Sequence, residues 1–182
     1  MNFETVHYLN VFLGSGVIIM QILSVIALGL LFFGPKKNTY LDFIDKHYLE
    51  LSFVISFSAM AFSMVYSEIV GFIPCYLCWY QRAFTIPMIF IFGVAVWVKD
   101  RKVIKYTLPM LLVGFVISVY QNLVYYFAEG ASNLPCDASG VSCYKQYISE
   151  FGGYISIPMM ALTTFFTLIT ILLVAHFYKK ED

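Results

Sequence analysis

Five runs in this chain are each long and apolar enough to cross a hydrocarbon core, a distance that takes about 20 helical residues. They cover roughly residues 11–33, 49–72, 79–98, 108–127 and 154–177. Of the 182 residues, 60% are hydrophobic and only 12% are charged. A water-soluble domain carries about twice that charged share, so lipid is the natural solvent and partner of this surface. Every span must satisfy its own backbone hydrogen bonds, which helices do, and alternation of the strand type is absent. The expected fold is an all-α membrane protein with five spans. A formal net charge of zero gives no basic face for nucleic acid.

The opening stretch, MNFETVHYLN, has no Lys or Arg, whereas a signal peptide begins with a positive region. The first apolar run ends at Gly34-Pro35-Lys36-Lys37 without a small-residue cleavage pattern, and it is expected to be a retained helix. Short loops rich in Lys and Arg mark the cytoplasmic side. Such residues fall between spans one and two (Lys36, Lys37, Lys46), between spans three and four (Lys99, Arg101, Lys102, Lys105) and after span five (Lys179, Lys180). The 128–153 loop carries only Lys145, and the turn at 73–78 has no basic residue. All three basic segments can share one side only with the N-terminus outside and the C-terminus in the cytoplasm. The same topology puts all four cysteines, Cys75, Cys78, Cys136 and Cys143, on the outer face, where disulfides form and persist.

Cys75 and Cys78 lie in Pro74-Cys-Tyr-Leu-Cys-Trp-Tyr-Gln-Arg82. Proline suits a turn or a first helical position, which places the pair at or near the start of span three. Unpaired N–H groups and the positive end of a helix stabilise a thiolate there. Arg82 follows Cys78 by four residues, so on a helix the two share a face. Taken singly, a C-x-x-C is also a structural disulfide or half a zinc site, and an Arg near a helix end is also a snorkelling anchor beside interfacial aromatics such as Trp79 and Tyr80. On one helix end and one face, the features together favour redox chemistry. Cys136 and Cys143 bracket a turn-rich segment, Asp137 to Ser142. A disulfide across so short a loop adds little chain-entropy stabilisation, and exposed disulfides are the exchanging ones. A loop staple is the alternative, and beside a reactive C-x-x-C exchange is favoured. Zinc held by all four cysteines fits the spacing poorly, and no metal is expected. After the second pair, Tyr144, Tyr147, Ile148 and Phe151 recur with the period of an amphipathic helix that could lie in the interface, ended by Gly152-Gly153.

CYLCWYQR, followed by a Pro-Cys loop pair and then GGYISIPMMAL, resembles the disulfide-bond formation protein B (DsbB) family, a bacterial membrane family, and within it the BdbC branch. The resemblance covers roughly residues 48–177. It implies a four-helix bundle in the bacterial cytoplasmic membrane that reoxidises a thioredoxin-fold thiol oxidase of the DsbA/BdbD type and reduces a membrane quinone, menaquinone or ubiquinone. The chain then divides into an extra N-terminal helix with its loop (1–47) and a redox bundle (48–182). Carried over by position, Cys136 meets the partner's cysteine, Cys143 passes electrons on to Cys75, and Cys78 sits beside the quinone. Arg82 polarises a quinone oxygen and holds the Cys78 thiolate, as a fixed cation in a dry site would.

Two features depart from the family pattern. The first span has no counterpart. Where the family often has a histidine in the outer part of its third helix, this chain has Gln121, which with Asn122 either hydrogen-bonds a quinone carbonyl or packs polar groups between helices. The vitamin K epoxide reductase family does similar chemistry, but its loop cysteines precede the C-x-x-C and here they follow it. Outside enzymes, the alternative is a non-catalytic membrane subunit or scaffold with structural disulfides. A transporter is disfavoured, since the spans lack paired charges and internal repeats.

Overall fold

A computed structural model describes residues 3–35, 38–127, 148 and 151–178. Five helices among them are long and apolar enough to cross a membrane: α1 (Phe3–Phe33), α2 (Thr39–Met64), α3 (Tyr76–Val98), α4 (Ile104–Phe127) and α5 (Ile157–Phe177). A π-helical turn, Val65–Ile69, continues α2, and a short 3-10 turn, Arg101–Val103, leads into α4. Cys136 and Cys143, and most of the proposed amphipathic segment at 144–151, lie outside the described residues.

Local signals explain where the helices start and stop. α1 closes its last turn with Gly34 N–H donating to Leu30 O at 3.0 Å, and Pro35, without an N–H, cannot extend it. α2 begins ten residues before the apolar run at 49, because Asn38 caps it: its Oδ1 accepts from Tyr40 N at 2.9 Å. The added turns carry Asp42, Asp45 and Lys46, which kept them out of the apolar run. The 47/48 division drawn from the sequence falls inside this helix, next to a kink at His47 (φ −114°, ψ 20°). α5 starts at Ile157 rather than 154, since Phe151, Gly152 and Gly153 all adopt positive φ and Ser156 is the cap, accepting from Met159 N at 3.3 Å.

α2, α3, α4 and α5 form a closed ring in which each helix packs on the next and α5 returns to α2. α1 lies outside that ring against α5. Met88 and Phe92 of α3, Leu111 of α4, and Phe165, Leu168 and Leu172 of α5 are all buried in the core. Outward, Phe33, Trp97, Val98 and Phe127 are fully or largely exposed, a surface that suits lipid and would associate in water. The ends of the helices that carry basic residues gather at one end of the bundle: Arg101 pairs with Asp45 of α2 and donates to Ala175 O of α5 at 3.3 Å. Tyr178 and Asn38 bond to each other beside them. Cys75 and Cys78 stand at the opposite end of α3.

Close helix approach rests on small residues. A Cβ on Gly114 of α4 would run into the Phe165 ring of α5. Gly114→Val is therefore expected to destabilise the bundle by about 1–3 kcal/mol, the usual cost of overpacking, and to lower the unfolding midpoint of the detergent-solubilised protein. A midpoint equal to the wild type would show that α4 and α5 can part at no cost.

Candidate functional site

The chain reverses after α2 through Gly71 (φ 85°). Phe72 N–H donates back to Tyr66 O at 2.9 Å, and its ring stacks on Tyr66 at 5.8 Å. Pro74 then delivers an extended Cys75, which is the N-cap of α3 (φ −73°, ψ 170°), with Cys78 one turn into the helix. Cys75 is buried and Cys78 half-buried, with their sulfurs 3.5 Å apart. The placement at a helix N-terminus expected from Pro74 is the one observed.

Gln121 of α4 is buried and reaches both sulfurs, its Nε2 lying 3.4 Å from Cys78 Sγ and 3.6 Å from Cys75 Sγ. A relay of hydrogen bonds fixes which end of the amide does so. Ser118 Oγ donates to Gly114 O at 2.9 Å, so it can only accept from Gln81 Nε2, at 3.1 Å. Gln81 Nε2 also donates to Gln121 Oε1 at 2.7 Å. With its oxygen taken, Gln121 has only N–H to offer the sulfurs. Neighbouring Asn122 instead bonds within the bundle, to Ser118 O at 2.8 Å and Pro158 O at 2.9 Å.

Arg82 is buried, and its bonds run to α2 and its π turn. Nε donates to Ser63 Oγ at 3.0 Å, and Nη2 donates to Ser63 O at 2.8 Å and Ser67 Oγ at 3.0 Å. The guanidinium also lies over the Trp79 ring, 5.2 Å from its centre. The π turn interrupts the regular α ladder next to these acceptors, as such turns often do at functional sites. Gln81, Ser63, Ser67 and Ser118 were not singled out in the sequence. Gln81 sat in plain view beside Arg82, and the Ser63–Ser67 spacing is one helical turn.

These groups face one cavity of about 580 Å³, lined by Cys75, Cys78, Gln81, Arg82 and Gln121 together with mostly apolar residues. A site with a few polar groups converging in an apolar hollow has the character of a small-molecule site.

The model of the family "Disulfide bond formation protein DsbB" matches residues 45–175. The chain belongs to the DsbB family. It is 40% identical over 134 residues to Disulfide bond formation protein C of Bacillus subtilis (strain 168), a match covering 74% of this chain and 96% of that protein. It is 34% identical over 139 residues to Probable disulfide formation protein C 2 of Bacillus anthracis, covering 76% and 97%. No solved structure matches the chain. Membership in the DsbB family makes this multi-pass helical protein an oxidoreductase of disulfide-bond formation.

Proposed function

We propose that the chain is a disulfide:quinone oxidoreductase that reoxidises an extracytoplasmic thioredoxin-fold thiol oxidase. The observation that carries this is the dithiol Cys75–Cys78 at a helix N-terminus, opening on an apolar cavity that also holds a buried cation, Arg82. A quinone fits that donor set: its flat apolar ring suits the lining, and its two carbonyl oxygens suit a guanidinium and an amide N–H. In this reading Cys78, half-buried on the cavity wall, is the acceptor-side sulfur, and Arg82 and Gln121 orient and neutralise what binds beside it.

The electron flow balances in three exchanges. The partner's dithiol reduces a Cys136–Cys143 disulfide and becomes a disulfide itself. The two loop thiols then reduce a Cys75–Cys78 disulfide and are reoxidised, each exchange proceeding by thiolate attack through a mixed disulfide. Closing the Cys75–Cys78 disulfide again releases two electrons and two protons, which a bound quinone takes up to become a quinol. The protein contributes position and charge: the helix N-terminus and the Gln121 N–H hold the dithiol in place beside an apolar cavity that also holds Arg82.

Anaerobic mixing of the purified protein, a reduced thioredoxin-fold partner and a soluble quinone should yield one quinol per partner disulfide. Absence of protein-dependent quinol would overturn the assignment. Cys143→Ala mixed with the oxidised partner should give a covalent complex on non-reducing gels, the Cys136 thiolate attacking the partner disulfide and freeing the partner's second thiolate, and its absence would reduce the loop pair to a staple. The clustering of basic helix ends opposite the dithiol supports an outside N-terminus and outward cysteines. A cysteine placed at Lys102 should then resist an impermeant thiol reagent in intact cells, and labelling there would invert the topology.

A further inference from the structure

The family match begins at residue 45, so α1 lies wholly outside it, yet α1 is built into the site. Gln21 Nε2 donates to Thr163 Oγ1 at 2.7 Å and Ser24 Oγ to Thr167 Oγ1 at 3.0 Å, fastening α1 to α5. Tyr66 OH donates to Asn10 Oδ1 at 2.8 Å, which ties α1 to the π turn bearing Ser67, a partner of Arg82. Gly14 abuts the Phe151 ring and Ile155, so the segment entering α5 also rests on α1. Against α2, by contrast, α1 packs sparsely, and a seam is left between them.

Phe12, Gly16 and Met20 of α1 line the same cavity as Cys78 and Arg82. A second apolar cavity of about 170 Å³ continues along the seam between α1, α2 and α5, past Leu23 and Ala27. Met20 and Ile55 line both cavities and form the neck between them. The path has a polar head at the dithiol and an apolar run leading away from it, a shape that suits a ligand with a polar ring and a long hydrocarbon tail.

We propose that α1 completes the acceptor site, seating the apolar tail of a lipid quinone in the α1–α2–α5 seam while its ring lies beside Cys78 and Arg82. This rests on the quinone assignment above and adds to it the part that α1, outside the family match, plays in the acceptor site. Lipid is as apolar as the seam, so transfer from the bilayer gives little driving force. The seam acts through shape: a tail tethered to the ring has to leave the cavity by a free path.

The test compares a long-tailed isoprenoid quinone with its tail-less analogue, using full-length Met20→Trp at the neck and Leu23→Trp in the seam. Leu23 is 44% exposed, so the second substitution is tolerated by the fold even if the first is not. The readouts are the quinone-induced rise in unfolding midpoint, which follows ligand affinity, and the apparent KM. Steric changes of a methylene or more in an apolar pocket shift discrimination by about tenfold or more. The ratio of long-tailed to tail-less KM should therefore rise about tenfold in both variants, with loss of the thermal stabilisation by the long-tailed quinone. An unchanged ratio, or an equal loss for both quinones, would overturn the role of α1. If the wild type neither binds nor reduces either quinone, the quinone assignment itself fails, a result distinct from the other two.

Discussion

Cys78→Ser protein, prepared with its loop pair oxidised, should accept electrons from one equivalent of reduced partner and then stop. The serine hydroxyl nearly matches the thiol in shape, and Cys78 is only half-buried, so the bundle should keep its stability to within about 0.5 kcal/mol, as ordinary substitutions away from packed features do. What it loses is the one reaction an oxygen cannot perform. The Cys78 sulfur lies 3.5 Å from that of Cys75, a short movement from a covalent S–S bond, and without it the inner disulfide never forms. Quinol production should fall to the rate seen without protein, while the first equivalent passes through Cys136 and Cys143. Continued turnover would remove Cys78 from the electron path. Failure of even the first equivalent would remove the loop pair from it. Stopped-flow consumption of partner thiols beside quinol absorbance separates the outcomes.

The two halves of that experiment were not equally legible in the sequence. Spans announce themselves because the bilayer demands about 20 apolar residues in a row, and all five were found. Their ends were less visible. Asp42, Asp45 and Lys46 mask the first turns of α2 from any count of apolar residues, although Asn38, a good capping residue, marks the true start. Pro74 located the dithiol correctly because proline chemistry is local. Partners across helices were out of reach, since hydropathy describes the solvent a helix meets and not how it is rotated about its axis. So the shared face of Cys78 and Arg82 was readable, whereas the bonds of Arg82 to Ser63 and Ser67 depend on how α2 and its π turn dock. Gln121 stood out as a polar residue in a span, with a quinone carbonyl or helix packing as its partner. Its amide oxygen goes to Gln81 and its nitrogen to the thiols, an arrangement set by a relay across two helices. The first helix gave no sign from its apolar run that it would wall the cavity.

Arg82→Met should raise the apparent KM for the quinone by about 10- to 100-fold while the single-equivalent exchange with the partner proceeds as in the wild type. Hydrogen bonds from a charged group contribute about 1.5–3 kcal/mol, and each 1.4 kcal/mol is a factor of about ten, which sets that range. Arg82 is 6% exposed, and its guanidinium is held from two directions by Ser63 and Ser67, with Trp79 beneath it. Those contacts use Nε and Nη2, so the plane of the fork is fixed before any ligand arrives, and no reorganisation is needed as negative charge grows on the acceptor. Charge alone does not do this. Lysine is a flexible point charge whose single nitrogen cannot take the places of both Nε and Nη2 in a rigid fork, so Arg82→Lys should recover only part of the affinity. The double change Ser63→Ala and Ser67→Ala keeps the cation and frees it, and it should resemble Arg82→Lys rather than Arg82→Met. If the serine pair behaves as wild type while Arg82→Lys is impaired, the identity of the cation matters and its anchoring does not. If Arg82→Met keeps the wild-type KM, the guanidinium serves helix packing, and the acceptor is bound through Gln121 and the apolar walls.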